Sequence, residues 1–360
     1  MRMKILYDHQ AFKQVFGGVS RYYVETLKRL NPEIEIEVAI KYSNNLYIKE
    51  FLPQITNPFG NLYVPFKRGL VNKANWNYAI SRLKNSDYNL FHATFDDSYF
   101  LAHVKTPFVI SVHDLIPESE PELWPGGWLE SRKIVFPKAS HIIVNSIKTK
   151  TDLLSYHPDI EERNISVIYR GYTLDNFHLE PNKNGKYILY VGGRKGYKNF
   201  SRFIKACAPI LNEYSDLKLI CTGDKFTKEE KHLFVELKVE NKITQKTVNE
   251  FELNHLYKNA ILFVFPSIKE GFGLPILEAW GNKCPVLLSD TDIFKEIAQD
   301  AAEYFNPLSI EDIQRALDNL LININLRNDL IAKGYVRVKL FTWEKSTREH
   351  ELIYKQVARQ

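Results

Sequence analysis

The chain has 360 residues, too many for one typical domain and enough for two, each with its own core. With 44% hydrophobic and 25% charged residues, its composition excludes a disordered chain. A formal charge of +5 and a pI near 8.8 favour acidic partners, but the excess is too small to choose among nucleic acid, a membrane surface and phosphorylated substrates.

Cys207, Cys221 and Cys284 are odd in number and far apart, which suggests neither a disulfide framework nor a zinc site and reads as reduced, buried thiols. Met1 leads straight into a short apolar run at residues 5–7, and no segment approaches the ~20 apolar residues of a spanning helix. The expectation is a cytoplasmic protein.

The chain opens as strand, loop, helix. Residues 4–9 read as a strand, 11–20 as a loop carrying Gly17 and Gly18, and 21–30 as a helix with Tyr22, Val24 and Leu27 among its apolar positions. An open α/β sheet places ligands beyond the carboxyl ends of its strands, and the glycine pair lies there; taken alone, such a pair is more commonly a plain turn. In residues 59–84, Lys67, Arg68, Lys73, Arg82 and Lys84 are interleaved with Tyr63, Phe66, Trp76 and Tyr78. That composition suits peripheral contact with an anionic membrane, and equally an amphipathic helix with its apolar face in the core. No nucleic-acid recognition motif accompanies the charges, so nucleic acid is not an expected partner.

Two more strands end in polar residues. Residues 89–95 carry His92 and run into Asp96 and Asp97; residues 108–112 are followed by His113 and Asp114. A histidine at a strand end either satisfies a neighbouring carbonyl or faces a ligand. After strands at 140–146 and 165–169, the polar, turn-rich residues 176–185 read as a linker. Residues 186–191 restart the strand–loop–helix pattern, as a second doubly wound domain would.

The loop at 192–199, GGRKGYKN, lacks the spacing of a dinucleotide fingerprint. It offers Arg194, Lys195 and Lys198 beside glycine-rich backbone, a charge complement for a diphosphate or a solvated surface cluster. A strand follows at 217–221 and a short helix at 254–260. Residues 261–265 are then an unbroken apolar run of the kind buried on both faces of a parallel sheet. Pro266 and Ser267 stop it, Gly271 and Gly273 allow a sharp turn, and a helix should begin near Leu274 with Pro275 in its first turn. The amides at that helix start form an anion site. Glu270 and Glu278 flank the start, where each alone is also an ordinary loop or first-turn acid. Asp290 and Asp292 form a D-x-D pair between a strand at 286–288 and a helix. Asp292 reads as a helix cap in preference to a metal ligand. Residues 341–357 read as a closing helix.

The stretch EGFGLPILE, residues 270–278, resembles the signature of the retaining nucleotide-sugar glycosyltransferases of family four. GGVSRY, VHD, YVGGRKGYKNF and FTWEK are similar to further segments of that family. The resemblance implies an α/β fold of two Rossmann-like, doubly wound domains facing across a cleft, the glycosyltransferase B fold. Its expected limits are an acceptor-side domain at 1–176, a nucleotide-sugar domain at 177–340 and a closing helix, 341–360, returning to the first. It implies hexose transfer from a nucleoside diphosphate sugar to a glycan or lipid-linked acceptor, with retention and no metal or other cofactor, in surface polysaccharide or lipopolysaccharide synthesis. In the roles it implies, His113 stands beside the transferred sugar, Glu270 supports that sugar and Glu278 binds the ribose. Lys198 and Arg194 meet the diphosphate with the amides near Gly273 and Leu274, Gly271 and Phe272 belong to the same donor-binding stretch, and Gly17 and Gly18 close over it. Arg194 lies one position beyond the place of the family's arginine, where this chain has Gly193. Two alternatives stay open: an epimerase or phosphorylase of the same fold, and a non-catalytic sugar-nucleotide binding protein.

Overall fold

The computed structural model describes residues 2–15, 17–57, 67–85, 87–124, 127–174 and 186–359, the side chains of Lys67 and Arg68 excepted. The expected linker at 176–185 and the aromatic residues Tyr63 and Phe66 lie outside these. The chain divides into two compact units, one formed by residues 1–171 with 342–360, the other by residues 172–341. The boundary falls ahead of the one read at 176.

The first unit holds a six-stranded parallel sheet of β1 (Lys4–Tyr7), β2 (Glu35–Val38), β3 (Leu90–Ala93), β4 (Phe108–Val112), β5 (His141–Val144) and β6 (Ile165–Val167), in the order β2-β1-β3-β4-β5-β6. The second holds β7 (Tyr187–Tyr190), β8 (Lys218–Thr222), β9 (Ile243–Lys246), β10 (Leu262–Phe265), β11 (Val286–Ser289) and β12 (Glu303–Phe305), in the order β12-β11-β10-β7-β8-β9. Every pairing between neighbouring strands is parallel. Parallel strands need crossover segments, and the helices of those crossovers cover both sheet faces. This is why β3, β4, β7 and β10 are buried along their whole length and read as continuous apolar runs. Both units are Rossmann-like.

Sheet order fixes where each unit can hold a ligand. In the second unit the chain leaves β7 toward β8 and β9, then returns to place β10 on the other side of β7. Crossovers therefore run apart on either side of the β7–β10 pair and leave a crevice beyond their carboxyl ends, the topological switch point. In the first unit the same reversal lies between β1 and β3.

The helix Trp343–Val357 completes the first unit. Trp343, Tyr354 and Val357 lie in one apolar cluster with Ile5, Tyr7, Tyr22 and Val24. A Cβ at Gly171 would come within 2.3 Å of the Trp343 backbone, so only glycine lets the chain pass there. Several polar groups within this core pair with one another: Tyr7 Oη donates to Tyr354 Oη at 2.9 Å, and His92 bridges Tyr354 Oη at 2.8 Å and Ser111 Oγ at 3.0 Å. His92 is fully buried in that network and stacks on Tyr7 at 5.0 Å, the structural alternative for this histidine. Among the described residues, no helix is long and apolar enough to cross a membrane.

Candidate functional site

The second unit brings two of the expected residues together at its switch point. The loop after β7 ends in a turn at Gly196–Lys198, and the loop after β10 carries Glu270. Lys198 Nζ lies 2.6 Å from Glu270 Oε1, with the two side chains 22% and 13% exposed. The ammonium also lies over the rings of Tyr197 and Phe265 at 5.1 and 5.7 Å. A cation placed on aromatic faces and paired with a carboxylate sits in a defined position before any ligand arrives.

Three residues beyond Glu270, Gly273 precedes the helix Leu274–Gly281 with φ of 104°. A side chain there would be strained by the backbone and would meet Ile276 Cδ1 at 2.9 Å. Pro275 stands in the first turn, where its missing N–H costs nothing. Glu278 Oε2, one turn on, accepts a hydrogen bond from Tyr257 Oη at 3.1 Å. Tyr257 is fully buried, and burial first, then the Glu278 carboxylate, push its phenol well above the ordinary range. It therefore stays a proton donor to Glu278 across the whole physiological range. Nothing in the local pattern of residues 250–259 singled out this tyrosine; its place on the helix running into β10 is the only signal.

Three expectations for this unit are corrected. Arg194 is not presented to a diphosphate. Its side chain is 4% exposed, with Nε on Glu230 Oε1 at 2.8 Å, Nη1 on the Thr222 carbonyl at 3.3 Å and Nη2 on the Asp224 and Lys225 carbonyls at 2.5 and 3.1 Å. Phe226 and Phe200 sandwich the guanidinium at 4.9 and 5.6 Å. The arginine is turned inward, where it ties the loop to the end of β8. The Phe272 side chain is likewise buried, 3% exposed, edge-on to Phe341 at 6.0 Å, so a ligand contact there falls to backbone. Asp292 is not a cap: the helix Asp292–Ala298 is preceded by Thr291 at the cap position, and Asp292 is its first residue, where an acid still favours the helix dipole. Asp290 pairs with Lys295 at 2.5 Å. Among the described residues, no group of three or more His, Cys, Asp or Glu is placed to hold a metal ion.

In the first unit, β1 and β4 carry the candidate residues. Gly17 precedes the helix Gly18–Arg29 in extended backbone, and a Cβ on it would meet only the flexible end of Gln14 at 3.0 Å. The local fold therefore does not itself demand glycine at 17. Immediately after β1, Asp8 and His9 are both fully buried. Asp8 Oδ1 lies 3.0 Å from His9 Nδ1 and accepts from Tyr99 Oη at 2.6 Å and the His9 amide at 2.7 Å. Burial opposes the charge on Asp8, but these partners hold its carboxyl below the ordinary value.

His113 follows β4. Its Nε2 is buried with no hydrogen-bond partner among the described residues, and its ring stands edge-on to Tyr22 at 5.2 Å and Tyr23 at 5.8 Å. Burial, then the Arg170 guanidinium, drive its pKa well below the ordinary value, so the imidazole is neutral. It lines a small hollow of about 70 Å³ beyond the ends of β3 and β4. A larger hollow, about 750 Å³, is lined by Met3, Glu33, Ile34 and Asn89 at the opposite, amino ends of the strands. Position, not size, selects the first.

The helix Lys67–Asn85 is in part a core helix: Ala79 and Leu83 are fully buried, and Arg82 pairs with Glu37 and Asp87. Leu70 and Trp76 are exposed, Trp76 stacking on Tyr99 at 5.8 Å.

Two doubly wound parallel sheets, the second with its paired lysine and glutamate at the switch point, define a protein of the glycosyltransferase B class. The structure of Anabaena Alr3699/HepE in complex with UDP and glucose superposes with a TM-score of 0.79 at 16% identity, covering 98% of this chain and all of that one. The family model for glycosyl transferases group 1 matches residues 173–337, and that for glycosyltransferase family 4 matches residues 16–176. The chain belongs to the family 4-type glycosyltransferases. It is similar to the O-antigen chain mannosyltransferase RfbU of Salmonella typhimurium, 28% identical over 218 residues, a match spanning 59% of this chain and 60% of that protein. It is also similar to O-antigen chain mannosyltransferase B of Escherichia coli, 23% identical over 402 aligned positions, 98% of this chain and all of the relative.

Proposed function

We propose that the protein transfers a hexose from a nucleoside diphosphate sugar to a glycan or lipid-linked acceptor, in the synthesis of a surface polysaccharide or lipopolysaccharide. The observation that carries this is the Lys198–Glu270 pair at the β7–β10 switch point, three residues from the start of the helix Leu274–Gly281. Similarity to two O-antigen mannosyltransferases supports the polysaccharide assignment and makes mannose the first donor sugar to try.

When the sugar–phosphate bond breaks, negative charge grows on the departing diphosphate, and a fixed cation with oriented amides stabilises it more than it stabilises the ground state. Lys198 and the amide of Leu274 take that role. Glu270, which holds Lys198 before the donor binds, then orients the donor sugar, and Glu278, fixed by Tyr257, binds the ribose hydroxyls. His113, neutral and with an unpartnered Nε2, supplies a hydrogen bond to a sugar hydroxyl. Gly17 and Gly18, at the start of the helix after β1, let backbone come close to the diphosphate. Transfer runs with retention and without a metal, the departing phosphate taking the acceptor proton. Contact with a membrane surface falls to the exposed Leu70 and Trp76.

Thermal-shift screening against GDP- and UDP-sugars tests the reading, since a ligand at a hundred times its Kd adds ~2.7 kcal/mol of stability. Turnover of a stabilising donor is then followed with a glycan acceptor in EDTA. Stabilisation by none of these donors sinks the proposal. Loss of activity in EDTA, restored by a divalent ion, sinks its metal-free part alone.

A further inference from the structure

The loops that follow β1 and β2 and the first turns of the helix Lys67–Asn85 are fastened into one surface. That helix is the crossover leading back to β3, so its start lies toward the carboxyl ends of the strands. Asn75 Oδ1 accepts from the amides of Lys41 and Tyr42, both at 3.0 Å, and its Nδ2 donates to the Tyr42 carbonyl at 2.9 Å. Ser43 Oγ donates to the Phe12 carbonyl at 2.8 Å, Asn45 Nδ2 to the Gln14 carbonyl at 2.7 Å and the Leu46 amide to the Val15 carbonyl at 2.9 Å. Ser43, Asn45 and Asn75 are buried, so water does not compete for these ties.

What the three segments show to solvent is apolar and cationic at once. Val15, Leu46 and Leu70 are each at least half exposed, and Trp76 reaches solvent beside them. On the helix, Leu70, Lys73, Trp76 and Asn77 share the face turned away from the buried Asn75, Ala79 and Leu83. Lys13, Lys41 and Lys73 are exposed, one on each segment. Residues 10–17 (QAFKQVFG), 41–46 (KYSNNL) and 67–77 (KRGLVNKANWN) contain no aspartate or glutamate, whereas a solvated surface ordinarily mixes both signs. Acids nearby are engaged elsewhere: Glu50 pairs with Lys28 at 2.9 Å, Glu37 with Lys4 at 3.1 Å and with Arg82, and Asp97 accepts from the Tyr99 amide at 3.1 Å.

A soluble polyanion would use the lysines and leave the aliphatic side chains in water. A bilayer with anionic headgroups uses both. We propose that this surface docks on an anionic membrane, the three lysines at the headgroups and Leu46, Leu70 and Trp76 entering the interface. The loop that carries Lys13 and Val15 leads through Gly17 into the helix Gly18–Arg29, so the docked face is the carboxyl edge of the sheet, where this unit can hold a ligand. An acceptor anchored by its lipid in the same bilayer then reaches the site from the docked face without leaving the membrane. The lipid-linked acceptor rests on the glycosyltransferase reading; the surface does not.

Vesicle flotation of the full chain tests it, with phosphatidylcholine vesicles either pure or mixed with phosphatidylglycerol. Binding should require the phosphatidylglycerol and weaken as salt is raised. A lysine near an anionic leaflet is worth about fivefold in affinity, so Lys13→Gln/Lys41→Gln/Lys73→Gln should bind on the order of a hundredfold more weakly. Leu46→Ser/Leu70→Ser, which keeps every charge, should also lose affinity, and thermal unfolding confirms that both variants fold. Equal binding to the two kinds of vesicle, unchanged binding by either variant, or no binding to vesicles at all would each overturn the proposal. If heparin binds and vesicles do not, the partner is a soluble polyanion and the membrane assignment falls. Calorimetry with GDP and UDP on the same samples separates the two readings. Nucleotide binding without vesicle binding sinks only this inference, and vesicle binding without nucleotide binding sinks the donor assignment instead.

Discussion

Lys198→Ala removes a cation whose Nζ stands 2.6 Å from Glu270 and which is 22% exposed, partly withdrawn from screening by solvent. A hydrogen bond to a charged group is worth ~1.5–3 kcal/mol, so one such contact to the nucleotide diphosphate corresponds to about a ten- to hundredfold loss of affinity. The loss should exceed that of a lone contact, because Glu270, 13% exposed, is left facing the incoming anion with its partner gone. Lys198→Ala/Glu270→Gln should therefore bind nucleotide better than Lys198→Ala alone, a non-additivity expected only of groups that interact. Isothermal titration with GDP and UDP measures all three proteins, and circular dichroism confirms their folding. If Lys198→Ala binds the wild-type's preferred nucleotide with unchanged affinity, the diphosphate is not held at the β7–β10 switch point and the argument built on the pair fails.

Arg194→Ala should behave as a stability variant. Removing a guanidinium buried between Glu230 and three carbonyls strands those groups, at ~3–5 kcal/mol, and a normal melting temperature with lost nucleotide binding would return Arg194 to the ligand. Tyr257→Phe takes the 3.1 Å donor from Glu278, so donor KM should rise several-fold while kcat holds; a fall in kcat alone would contradict a ribose-positioning role. Acid should weaken the first unit through its buried histidines. Burial holds His350 down to about 4, and His92 and His113 are displaced in the same direction, whereas in the unfolded chain each titrates near ~6.5. Between those values the unfolded state binds protons that the fold refuses. Stability is then complete above about pH 6.5 and falls as pH drops toward 4, His350 alone accounting for roughly 3 kcal/mol. Urea unfolding at intervals across that range measures the slope, and a flat profile would show these histidines accessible to protons in the fold.

The central strands were legible because parallel strands covered on both faces must be apolar throughout: residues 108–112 and 261–265 appear within a residue of their observed limits. The edge strands β2, β9 and β12 were not, since EIEV, ITQK and EYF are part-exposed and their polar residues break the run. At the site, Lys198 and Glu270 were readable because each sits in a glycine-punctuated loop at a strand end. Arg194 misled because charge and proximity in sequence carry no information on which way a side chain turns. That direction is set by Glu230 and Phe226, which approach only once the sheet has formed.

Because residues 342–360 pack on the first unit, that unit is the earlier to be synthesised and the later to be finished. Every residue of the second unit is translated before His350 and Tyr354, the partners of Tyr22 and Tyr7, so the first unit cannot be completed until the last helix has emerged. A chain stopped short of Trp343 would thus present its first unit with an open apolar flank and its second unit with every residue in place.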